Sequence, residues 1–133
     1  MNTRKRPTIP SPTEHHEQAA VIAWVDCMDR AYPERGLGLR FAVPNGAKRG
    51  PWEYTQKRAE GMRAGVPDLC FPVPRNGHHG LWIEMKRKKG GILATEQREY
   101  IDALDALGHF ACVCRGADEA KRVIAKYFGL PAK

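Results

Sequence analysis

The sequence predicts an α/β fold, a mixed central β-sheet flanked by helices, in the order α-β-α-β-β-α-β-α. Three observations predict it. Two short apolar runs, residues 69–73 and 81–86, flank a turn-rich break, as the strands of a hairpin do. Apolar residues recur at helical spacing in three stretches, 13–30, 95–107 and 118–128. The 133 residues are 42% hydrophobic and 28% charged, a globular balance with enough chain for one core.

Residues 1–12 hold Arg4, Lys5 and Arg6 among three prolines and read as a flexible basic tail ahead of a single domain over 13–133. Ser11 suits an N-cap, Pro12 the first helical position and Glu14 a capping box. Ala19, Ile22, Ala23, Val25 and Met28 then carry a helix to about Arg30, before Pro33. Leu37, Leu39, Phe41 and Val43 alternate with smaller or polar residues, a strand signal that Pro44-Asn45-Gly46 ends in a turn. A polar, basic helix is expected over 51–64, stopped by Gly65 and weakened by Gly61. Residues 69–73 and 81–86 form the hairpin, with Asn76-Gly77 at the centre of its turn. After a basic loop over 87–94, Thr95 can N-cap a helix with the stripe Tyr100, Ile101, Leu104 and Leu107, ended by Gly108. Residues 109–114 read as a fourth strand, and Val123, Ile124 and Tyr127 face inward from a last helix over 118–128.

Charge narrows the function. There are 22 Lys and Arg against 15 Asp and Glu, a net charge of +7, and the basic residues cluster. The clusters are Arg4-Lys5-Arg6, Lys48-Arg49, Lys57-Arg58 and Lys86-Arg87-Lys88-Lys89. A surface of that sign attracts polyanions, nucleic acid the commonest among them. Cys27, Cys70, Cys112 and Cys114 sit in apolar segments without framework spacing, as reduced core thiols do. No stretch approaches a membrane span and the basic N-terminus has no apolar h-region, so a soluble intracellular protein with no membrane partner is expected.

The chemistry lies between Gly65 and Gly91. Along the strand 81–86 side chains alternate, so Glu84 and Lys86 share one face while Ile83 and Met85 share the other. That alternation, like a turn at Pro67-Asp68, has an ordinary structural explanation when taken singly. Together they say more. Asp68 opens one strand and Glu84 lies near the end of the next, so a hairpin brings the two carboxylates together. Two converging carboxylates hold a hard divalent cation such as Mg²⁺ or Mn²⁺, with the backbone carbonyl of Met85 a natural further oxygen ligand. Lys86 on the same face would assist a water and offset charge on a phosphate. These parts suit phosphodiester hydrolysis.

Pro67-Asp68 followed by Glu84-Met85-Lys86 resembles the signature of the PD-(D/E)xK nucleases. Gly65-Val66-Pro67-Asp68-Leu69, the helix start at Leu93-Ala94-Thr95-Glu96-Gln97, Leu107-Gly108 and Glu14-His15-His16-Glu17-Gln18 resemble the VRR-NUC (virus-type replication-repair nuclease) family. Val43-Pro44-Asn45-Gly46 fits it too, so the resemblance spans about residues 13–120. It implies a restriction-endonuclease-like core and a Mg²⁺- or Mn²⁺-dependent endonuclease. It makes Asp68 and Glu84 the metal-binding acids, Lys86 the catalytic lysine and Gln97 a residue that orients the site. It also implies an acid from the first helix: Glu14, four residues before Gln18, with Glu17 the alternative. Minimal members of the family resemble Holliday-junction resolvases, which implies a homodimer acting on branched DNA in DNA repair, in the cytoplasm of a bacterial or phage-infected cell. Asn45, Lys48, Arg49, Arg87, Lys88 and Lys89 are then the expected DNA contacts.

Other signals carry less. His15-His16, His78-His79, Cys112 and Cys114 lack zinc-site spacing, and Lys89-Gly90-Gly91 lacks the pattern of a nucleotide-binding P-loop, so no nucleotide cofactor is expected. Trp24, Trp52 and Trp82 are expected in the core rather than as base-stacking residues, although Trp52 sits in a basic region where it could contact DNA. The alternative functions are a non-catalytic basic nucleic-acid-binding module with a nuclease fold, and a restriction-type or exonucleolytic specificity. The first would bind DNA with steep salt dependence and without cleavage.

Overall fold

The structure, a computed structural model, describes residues 13–44 and 51–131. Asn45, Lys48, Arg49 and the basic tail over 1–12 lie outside the described residues. Thr13 opens the first helix, α1 (Glu14–Ala31), its extended backbone and hydroxyl capping the His16 N–H at 3.2 Å. The N-cap is therefore Thr13 rather than Ser11, and Glu14 becomes the first helical residue instead of a capping-box partner. The buried face of α1 is also displaced from the expected one. Glu17, Val21 and Val25, spaced by fours, turn inward, and Ala19 and Ala23 are exposed.

The alternation after α1 does not make a strand over 37–43. Gly36 is left-handed (φ 81°), residues 37–39 wind into a short 3₁₀ turn that buries Leu37, and β1 is only Phe41–Ala42. Gly38 is pinned to α1 by its N–H on Asp29 Oδ1 (3.0 Å). Two glycines in four residues favour such a turn over pleated backbone. Next, α2 (Pro51–Ala59) stops five residues before the expected Ala64, because Gly61 (φ 106°) lets the Met62 N–H close on Lys57 O at 2.8 Å.

The sheet order is β1-β2-β3-β4. In it β2 (Leu69–Phe71) runs antiparallel to β1 and to β3 (Leu81–Lys86), and β4 (Phe110–Arg115) runs parallel to β3. The hairpin forms as expected, although β2 ends at Phe71 rather than Val73. Its tip is a two-residue turn with φ 54° at Asn76 and 81° at Gly77, the pairing Asn-Gly favours. Two helices complete the order: α3 (Thr95–Ala106), capped at Ala94 rather than Thr95, and α4 (Ala117–Phe128).

One face of the sheet makes the core. Leu69, Phe71, Leu81, Ile83, Met85 and Cys114 pack with Val21 and Val25 of α1 and with Ile124 and Phe128 of α4. Alternation sends Trp82, Glu84 and Lys86 to the opposite face, on which α3 lies against β4. Within α3, Ile101 is buried, but Leu107, expected in the stripe, is 72% exposed because the helix has ended one residue earlier. Among the cysteines Cys70 and Cys114 are buried thiols, whereas Cys27 is exposed on α1 and so is no core residue. No helix among the described residues is long and apolar enough to cross a membrane.

Candidate active site

The antiparallel register sets Leu69 opposite Ile83, so Asp68, just before β2, faces the C-terminal half of β3. There the Met85 N–H donates to Asp68 Oδ2 at 2.8 Å, while Asp68 O accepts the Val43 N–H at 2.8 Å. The backbone of Asp68 is thus fixed by the residue that follows β1 and its side chain by β3. The Met85 side chain is fully buried in the core.

Glu84 is 1% exposed and Lys86 6%, on the same strand face. Lys86 Nζ lies 3.5 Å from Glu84 Oε1 and 3.9 Å from Glu14 Oε1, so α1 also delivers an acid to this end of β3. The alternative acid, Glu17, is occupied elsewhere. Its buried carboxylate accepts the Ala117 N–H at the start of α4, where a helix N-terminus favours an anion. Gln97 fits between α3 and the site: its Oε1 accepts the Ala94 N–H (2.9 Å), which turns its amide group so that Nε2 donates to Glu84 Oε1 at 2.7 Å.

Burying two carboxylates together raises both. Burial comes first for Glu84, the Asp68 charge second, and its carboxyl is pushed up to about 8 despite the Lys86 ammonium. Asp68 is raised as well, by burial first, against the pull of the Met85 N–H. Glu84 Oε2 is buried and no hydrogen-bond donor reaches it among the described residues. A pair so placed is comfortable when one acid holds a proton or when a cation neutralises both. Oxygen donors of this kind suit a hard divalent cation that keeps several waters. Among the described residues no group of three or more His, Cys, Asp or Glu side chains is placed to hold a metal ion, so Asp68 and Glu84 stand as a pair.

The loop after β3 exposes Arg87, Lys88 and Lys89 directly beside Lys86. Two contacts fold it back: Arg115 Nη1 donates to Gly91 O at 2.8 Å, and Lys88 Nζ stands 3.9 Å from Asp118 Oδ2. Trp52 is 73% exposed on α2 and so is no core residue, whereas Trp24 packs against the core and Trp82 is half-buried against Phe41 and His109.

Gly65, read from the sequence as a helix stop and as the first residue of the Gly65-to-Leu69 motif, packs against the start of α3. Its φ is 86°, and a Cβ there would run into the Glu96 carbonyl, 2.6 Å from its carbon. Only glycine lets the 65–68 segment cross the first turn of α3, which brings Asp68 and Gln97 to one place. The signal in the sequence is its position two residues before Pro67-Asp68, remote from the end of α2.

A family model for the VRR-NUC domain matches residues 13–118. No curated protein matches the chain. Among solved structures, one titled "VRR_NUC domain protein" superposes with a TM-score of 0.74 at 26% identity, over 92% of this chain and 93% of that one.

Proposed function

The chain belongs to the VRR-NUC domain family, with its nuclease fold, and from that premise we propose that it is a divalent-cation-dependent endonuclease hydrolysing phosphodiester bonds in branched DNA such as Holliday junctions. The observation that carries the reading is the buried Glu84 carboxylate, with one oxygen unpartnered among the described residues, beside Asp68 and 3.5 Å from the Lys86 ammonium. A solvated strand face explains none of this. Its acids would be exposed and unshifted.

In this reading Asp68 and Glu84, with the Met85 carbonyl, hold Mg²⁺ or Mn²⁺. The chemistry such a cation supplies is polarisation of the phosphate and a more acidic water. Gln97 holds Glu84 in one orientation through its amide. Lys86, already desolvated, orients the attacking water and offsets charge that develops on the phosphate, and Glu14 holds Lys86 from the α1 side. Arg87, Lys88 and Lys89 meet backbone phosphates, which positions DNA without reading its sequence. A homodimer would present two such sites to the two strands of a junction.

The test is cleavage of end-labelled four-way junction, flap, splayed-arm and linear duplex DNA in Mg²⁺, Mn²⁺ or EDTA, with Lys86→Ala in parallel. Paired symmetric cuts in the junction, lost in EDTA and in the variant, are the expected result. Tight, salt-sensitive binding without cuts on any substrate would replace this reading with a DNA-binding module.

A further inference from the structure

Beyond α2 the chain turns back toward Asp68, and on that path it bounds a groove with the end of β1 and with α3. The groove has a volume of about 390 Å³, the size of pockets that hold small organic molecules. Val43, Met62, Val66 and Tyr100 give it apolar and aromatic lining, and Lys57 and Arg63 add cationic groups. Lys57 is balanced by Glu60 at 3.1 Å, which leaves exposed Arg63 as the stronger attraction for an anion.

Its position matters more than its size. Val66 lies two residues before Asp68, and the Val43 N–H donates to the Asp68 carbonyl at 2.8 Å. Tyr100 stands three residues after Gln97, one turn along α3. The groove is therefore built from the same three segments that place Asp68 and Gln97. An aromatic and apolar lining beside a guanidinium suits a nucleobase with its phosphate. Bases inside a duplex are stacked and paired, so only an unpaired one can enter. We propose that this groove receives one unpaired nucleotide of the DNA strand adjoining the scissile phosphate. The inference rests on the nuclease reading above and gives a preference for branched DNA a physical basis, since nucleotides at a branch unstack most easily.

The test uses wild-type protein held in EDTA and two DNAs, a duplex carrying one unpaired 2-aminopurine and the same duplex fully paired. Tyr100→Ala is expected to weaken binding of the first about tenfold, within the worth of one base–aromatic stack. Tyr100→Phe should stay within about twofold of wild type, and the paired duplex should show no difference among the three proteins. Arg63→Ala should lower affinity for the first DNA and take about one unit off its salt slope. Equal affinities for Tyr100→Ala and wild type, with matching circular dichroism, would overturn the proposal. So would a loss shared equally by both DNAs. If Tyr100→Ala unfolds, Arg63→Glu, at an exposed side chain, makes the same comparison. Cleavage in Mn²⁺ is scored separately. Cleavage with no dependence on Tyr100 or Arg63 overturns the groove and leaves the nuclease, whereas Tyr100-dependent binding with no cleavage by wild type overturns the nuclease and keeps a nucleotide site.

Discussion

Glu84 sits where a carboxylate is costly, and its neighbours state the cost. With the carboxyl raised to about 8, the folded protein holds a proton that the unfolded chain, near 4.5, releases. Between those values the native state binds more protons, so metal-free stability is greatest below about pH 4.5 as far as this group decides, and falls as pH rises through 8. Thermal melts in EDTA from pH 5 to 8 should show that fall, and Glu84→Gln should flatten it. A wild-type profile no steeper than that of Glu84→Gln would deny the shift. Lys86 poses the complementary case. Lys86→Ala should cut cleavage at least about 100-fold, as losing a preorganised charge does, and should keep a cooperative unfolding transition. Absence of that transition in Lys86→Ala would give the lysine a structural role instead.

Between elements, the site depends on contacts that few residues make possible. Gly65→Ala combines a positive φ with a Cβ 2.6 Å from the Glu96 carbonyl carbon, so α3 must shift. It should cost about 1–3 kcal/mol from the backbone conformation and more from the clash, and it should lower cleavage by moving Gln97. Gly61→Ala is the control: its φ is 106° but nothing lies within 4 Å of the added methyl. Urea midpoints for the two variants separate strain from collision. Thr13→Ala should cost about 1 kcal/mol through the α1 cap.

Much of this arrangement is legible in the sequence. The hairpin shows in two apolar runs about Asn76-Gly77, and alternation within 81–86 puts Glu84 and Lys86 on one face. Patterns of that kind survive folding because strand period and turn chemistry are local properties. Residues 37–43 mislead for the converse reason. Their alternation is real, but Gly36, Gly38 and the bond to Asp29 favour a turn that no strand pattern describes. Likewise, whether Glu14 or Glu17 approaches the site depends on where α4 begins, and Glu17 is drawn to Ala117, one hundred residues away in sequence.

Across the whole molecule, a net charge of +7 sets how DNA is approached, and the loop beyond β3 concentrates that charge beside the acids. Binding should weaken steeply with salt. Replacing Arg87 and Lys89 together by Ala should reduce the slope of log affinity against log salt by about 0.9 for each phosphate no longer neutralised, without changing which DNA structure is preferred. Equal slopes would place the DNA on another face. In the proposed function a divalent cation meets the phosphate at the buried pair Asp68 and Glu84. Calorimetric titration with Mn²⁺ at pH 8 tests it without DNA. Saturable binding by wild type, abolished in both Asp68→Asn and Glu84→Gln while each stays folded, is the predicted result. Mn²⁺ binding that survives both substitutions would contradict it.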